Sequence, residues 1–94
     1  MATVVITAAA QEQFLELPRV IQARMERVFV RLERWPEVSG AKALAGELAG
    51  RYRIRTGDYR TQFHVVSGNV AAKPPQPDRV VVEKVGHRDR FYEG

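Results

Sequence analysis

The sequence predicts an α+β fold with helices packed on one face of a small sheet. Three observations carry this: a β-branched run at the start, a helix with one apolar stripe, and a C-terminal half of strands punctuated by turns. The expected order is an N-terminal strand, two helices, then a three-stranded antiparallel meander, all within one domain spanning 1–94.

Thr3 to Thr7 reads as the first strand. Ala8 to Leu17 follows as a helix, with Ala10, Phe14 and Leu17 on one side and Thr7 as N-cap. Pro18 breaks it and can open the next helix in its first turn. In that second helix Ile21, Met25, Val28, Leu32 and Trp35 form one apolar stripe, read as core, and Pro36 ends it. Arg24, Arg27, Arg31 and Arg34 lie beside this stripe, either as a solvated face or as a track for phosphates. Ser39 to Gly50 reads as a small-residue connector with room for a short helical turn; it lacks the Gly-Lys-Ser/Thr of a phosphate loop. Tyr52–Thr56 and Tyr59–Val66 flank a Gly57-Asp58 hairpin turn. Val80–Val85 is apolar enough to be a central strand. Lys73 to Asp78 is too rich in proline for a sheet interior and is expected to form a protruding loop.

Composition excludes several classes. The 94 residues contain no cysteine, hence no disulfide framework and no thiolate nucleophile. No apolar run approaches the ~20 residues of a membrane span. Met1 to Thr7 does not resemble a secretory leader, so a cytoplasmic location is expected, with no membrane partner. No Asp/Glu/His cluster has metal-ligand spacing, and no metal or cofactor is expected. The net charge is +4, and all of it arises after residue 50, where nine basic groups meet five acidic ones. Such a half suits a polyanionic partner.

Alternation along the hairpin puts Arg51, Arg53 and Arg55 on one face with Arg60, Gln62 and His64, opposite Tyr52, Ile54, Tyr59, Phe63 and Val65. Clustered guanidiniums repel one another, and a phosphate would compensate them through the planar donor fork of arginine. A solvated sheet face explains the spacing equally well. Gly86-His87-Arg88-Asp89-Arg90-Phe91-Tyr92 brings two more arginines and a phenol after the central strand.

Leu48 to Arg60 (LAGRYRIRTGDYR), followed by Val85-Gly86-His87-Arg88, resembles the RelE/ParE toxin superfamily over nearly the whole chain. The resemblance implies the RelE-like microbial RNase fold and a toxin restrained by a small, acidic, partly disordered antitoxin in a heteromeric complex. In the RelE-like branch it implies a metal-independent endoribonuclease, an mRNA interferase. Such a toxin enters the ribosomal A site and cuts messenger RNA through attack of the 2′-hydroxyl on its own phosphate. Carried over, Arg53 and Arg55 hold the phosphate, Arg60 stabilises the transition state, Arg88 assists the leaving oxygen and Tyr92 takes the 2′-hydroxyl proton. Arg51, Lys84 and His87 are read as further RNA contacts. Where some members carry lysine this chain has Arg53 and Arg55, and arginine does not transfer protons at neutral pH. Tyr92 is then the expected base, with His87 and His64 as alternatives, and surrounding cations would favour its phenolate. Two other functions fit the superfamily: a ParE-like inhibitor of DNA gyrase, and an inactive homologue acting only within the antitoxin complex.

Overall fold

The computed structural model describes residues 2–91. Its elements run β1 (Thr3–Ile6), α1 (Ala8–Leu15), α2 (Arg19–Leu32), β2 (Lys42–Ala43), a single 3₁₀ turn (Gly46–Leu48), β3 (Arg51–Thr56), β4 (Tyr59–Val66) and β5 (Arg79–His87). The strands form one five-stranded sheet in the order β1-β5-β4-β3-β2. β3, β4 and β5 are the expected antiparallel meander. β1 joins β5 in parallel, which makes β5 an interior strand. The connector holds more than was expected, since Lys42–Ala43 pairs with Tyr52–Arg53 as a two-residue edge strand.

Thr7 caps α1, its Oγ1 accepting from the Ala10 N–H at 3.1 Å. The helix stops at Leu15, two residues before the expected end, and Gln22 Nε2 donates to the free carbonyls of Leu15 (3.3 Å) and Leu17 (2.9 Å). Pro18 is the N-cap residue of α2 rather than part of its first turn. α2 stops at Leu32, ahead of Trp35, and Arg34 and Trp35 continue in tighter turns to the carbonyls three residues back. Pro36 disfavours helical backbone at the residue before it. Trp35 still reaches the core, packing edge-on against Tyr52 (4.7 Å) and Phe63 (5.5 Å).

The core lies between the helices and one sheet face. Ala10, Phe14, Ile21, Met25, Val28 and Leu32 meet Ile54, Phe63, Val80, Val82 and Val85. Thr61 is fully buried among them and donates its hydroxyl to Met25 Sδ at 3.2 Å, which satisfies a polar group in an apolar setting. The opposite face carries no helix, and it is there that the basic side chains gather.

The segment after β4 is more ordered than a free loop. Asn69 and Gln76 exchange two backbone hydrogen bonds of 2.9 Å, closing a bridge over residues 70–75. Asp78 Oδ1 accepts from the Gly68 N–H at 2.7 Å, while the Asp78 carbonyl accepts from Thr3 of β1. Among the described residues no helix is long and apolar enough to cross a membrane.

Candidate functional site

Register places the basic residues in rows across the open face. Lys42, Arg53, Gln62 and Lys84 form one row; Arg55, Arg60 and Gly86 form the next; Arg51, His64 and Val81 form another. Arg51, Arg53, Arg55, Arg60 and Lys84 therefore share one surface. Gln62 is only 9% exposed, flanked by Arg53 and Lys84.

One end of this surface is the β3–β4 turn. Gly57 sits at φ 60° as the first residue of a two-residue turn, a conformation that suits glycine and matches the twist of the hairpin. Arg60 folds over the turn, Nη1 donating to the carbonyls of Gly57 and Tyr59 at 3.2 Å each. Arg55 faces it directly and is exposed; among the described residues no carboxylate pairs with it. Arg88, just past β5, donates its backbone N–H to the Asp58 carbonyl at 2.7 Å. Its exposed guanidinium lies 3.8 Å from Asp58 and 3.5 Å from Asp89. Gly86 contributes no side chain beside Arg60, and the place a Cβ would take faces the buried ring of Phe91.

The other end is different, because it contains Glu83, a residue not singled out from the sequence. Gln62 pairs with Lys84 but Phe63 with Val82, so Glu83 is the extra residue of a β-bulge. The sequence does hold a signal: the buried valines are Val80, Val82 and Val85, a step of two followed by a step of three. Glu83 takes the Arg51 Nε–H between both carboxylate oxygens, at 3.1 and 3.2 Å. Its Oε1 is also 3.3 Å from His64 Nδ1, a buried ring nitrogen set off the line of a hydrogen bond.

Lys84 Nζ lies 4.8 Å above the ring of Phe91, a cation–π contact. Phe91 is 1% exposed, yet it packs beside Gly86 rather than in the main core. His87 is the expected RNA contact not brought to the arginines. It is opposite Tyr59, on the other side of the strand, with the two rings edge-on at 5.2 Å. The expected proton acceptor Tyr92 lies outside the described residues. Among the described residues no group of three or more His, Asp or Glu side chains gathers into a metal site.

An antiparallel sheet face lined by guanidiniums, with Asp58 and Asp89 beside Arg88 at one end and Glu83 beside Arg51 at the other, can bind a phosphate chain and stabilise charge developing on it. Solved structures with this architecture include toxins of toxin–antitoxin systems. The RelBE2 toxin–antitoxin complex of Mycobacterium tuberculosis aligns at 30% identity over 93% of this chain and 98% of that one, with a TM-score of 0.72. The isolated RelE toxin of E. coli matches at 16% identity over 99% and 90% of the two chains, TM-score 0.70, and shares the fold. The RelB–RelE complex of Methanococcus jannaschii does so at 18% identity over 95% of each chain, TM-score 0.68. No family model and no curated protein matches the sequence. The chain belongs to the RelE/ParE toxin superfamily.

Proposed function

We propose that this chain is an mRNA interferase of the RelE-like branch, a metal-independent endoribonuclease that works as one domain in the ribosomal A site. The observation that carries the reading is the direct opposition of Arg55 and Arg60 on an open sheet face, with Arg88 at the adjoining strand end. Like charges so placed destabilise a sheet unless an anion joins them. A phosphoryl group in its transition state, with charge spread over its oxygens, is such an anion.

The 2′-oxygen attacks phosphorus, its proton passing to Tyr92, and the bond to the 5′-oxygen breaks. A 2′,3′-cyclic phosphate remains, and the 5′-oxygen leaves with a proton drawn from solvent. Arg53 and Arg55 hold the phosphate, Arg60 answers its developing charge and Arg88 steadies the leaving oxygen. Lys42, at the edge of the same face, extends the track for the chain. At rest, an acidic and partly disordered antitoxin covers this surface in a heteromeric complex. Charge complementarity then acts mainly on its association rate.

Primer-extension mapping of cellular transcripts after induction tests the reading. Cuts within translated codons, abolished by Arg60→Ala, are expected. Trapped DNA breaks with intact transcripts would instead identify a gyrase inhibitor.

A further inference from the structure

We propose that Arg51, His64 and Glu83 form a base-reading subsite, which receives an RNA nucleotide flanking the cut phosphate and favours a base with an exocyclic amine over uracil. The inference rests on the nuclease reading above and adds a specificity element to it.

Position comes first. His64 is four residues along β4 from Arg60, which at the rise of a strand is about 13 Å. That is several times a hydrogen-bond length, and the Arg60 guanidinium folds towards the turn, away from His64. A phosphate held at the Arg55–Arg60 row lies two rows from His64, so the nucleotide beside it is the one that would meet His64.

Charge comes next. A carboxylate among arginines repels phosphate, so Glu83 ends the phosphate track rather than extending it. It is an acceptor only. Arg51 fixes it with one N–H shared between both oxygens, and each oxygen retains accepting capacity. Adenine, cytosine and guanine each present an exocyclic amine that can donate to it; uracil has none, and the two carbonyl oxygens beside its single ring N–H repel the carboxylate, which disfavours it.

Shape is the third element. The His64 side chain is 37% exposed although its Nδ1 is buried against Glu83, so the ring edge away from Glu83 is the part that meets solvent. A flat ring beside a guanidinium is a platform on which a splayed base stacks. Glu83 is two residues on from Val81, the cross-strand partner of His64, and so lies on the side of His64 and Arg51.

The test uses the purified full-length chain with ribosomes programmed by messages that differ at one base in or beside the A-site codon, and reads the cutting rate on each. The expected result is a position where uracil is cut slowest. In Glu83→Gln, whose amide can donate to the uracil carbonyl, the uracil message gains and the preference shrinks by roughly tenfold. A faster rate on one base is something that loss of stability does not produce. Thermal melting accompanies the assay, and Glu83→Asp, which keeps the charge but withdraws it, should weaken the preference without reversing it. Equal slowing on all messages, or an unchanged preference, overturns the subsite while leaving the nuclease reading intact. A change only in antitoxin affinity would make this end a protein-docking surface, and the subsite assignment wrong. If the wild-type chain cuts none of the messages, the nuclease reading itself fails and the subsite falls with it.

Discussion

Arg55 and Arg60 are direct cross-strand partners on the open face of the β3–β4 hairpin, two guanidinium side chains opposed where a stable sheet would place opposite charges. Such a pair destabilises by about 0.2–1 kcal/mol. Arg60→Ala relieves it and loses two hydrogen bonds to carbonyls, one exposed and one part-buried, each a comparable quantity. The two effects nearly cancel, so the variant should melt close to wild type. Its RNA cleavage should fall by about 10²–10³-fold, the usual scale for removing one preorganised donor. A much lower melting temperature would make Arg60 a structural residue.

The core behaves in the opposite way. Leu32 is fully buried between α2 and the sheet, and truncating such a side chain costs about 2–5 kcal/mol. In a domain of this size Leu32→Ala should lower the melting temperature by roughly 10 °C or more. Calorimetry or circular dichroism reads this, and a shift of only a degree or two would contradict the packing described.

Gly86 separates structure from function. A Cβ added there meets Phe91 Cδ1 at 3.9 Å, an ordinary contact, and the backbone needs no glycine. Gly86→Ala should therefore fold and melt like wild type. Because Gly86 is opposite Arg60 and its Cβ would press on Phe91, the ring that carries Lys84, small shifts of these cations should lower cleavage by about tenfold or less. Full activity in this variant would move the phosphate away from Arg60.

Much of this was legible in the sequence, and the exceptions have physical causes. The Ile21-Met25-Val28-Leu32 stripe and the alternation of Tyr52, Ile54 and Phe63 against Arg53, Arg55 and Gln62 are periodic, and periodicity survives into the fold. Alternation from Val80 and Val82 puts Glu83 on the open face, but its reach to Arg51 two strands away appears only with the register, and the bulge there shifts the faces of the residues that follow. His87 follows from the same shift: counting outward from the bulge puts it with Tyr59, away from the arginines. Lys42–Ala43 is too short to show alternation and becomes a strand only by pairing with Tyr52–Arg53. Trp35 reads as helical because its contact with Phe63 completes the stripe, although the helix itself has ended at Leu32.

The proline-rich segment shows how far such a reading extends. Pro74 and Pro75 do lie outside the strands, but Gln76 and Asp78 hold the hairpin and the start of β1 together. Residues 70–75 should be replaceable by a short turn, since loop closure changes by only about 0.6 kcal/mol per doubling of length. Gly68→Ala should destabilise instead, because its Cβ would fall 2.1 Å from the Gln76 carbonyl oxygen. Melting curves of the two variants should diverge clearly; a stable Gly68→Ala would show that the bridge can open without penalty.

The most direct test of the central claim is the chemistry of the cut ends. Purified protein is added to ribosomes stalled with a defined message, and the fragments are analysed by mass spectrometry. The account predicts a 2′,3′-cyclic phosphate on one fragment and a 5′-hydroxyl on the other, at a single position in the A-site codon, formed about 10²–10³-fold more slowly by Arg60→Ala. Uncut message, or 5′-phosphate ends that persist in Arg60→Ala, would contradict it.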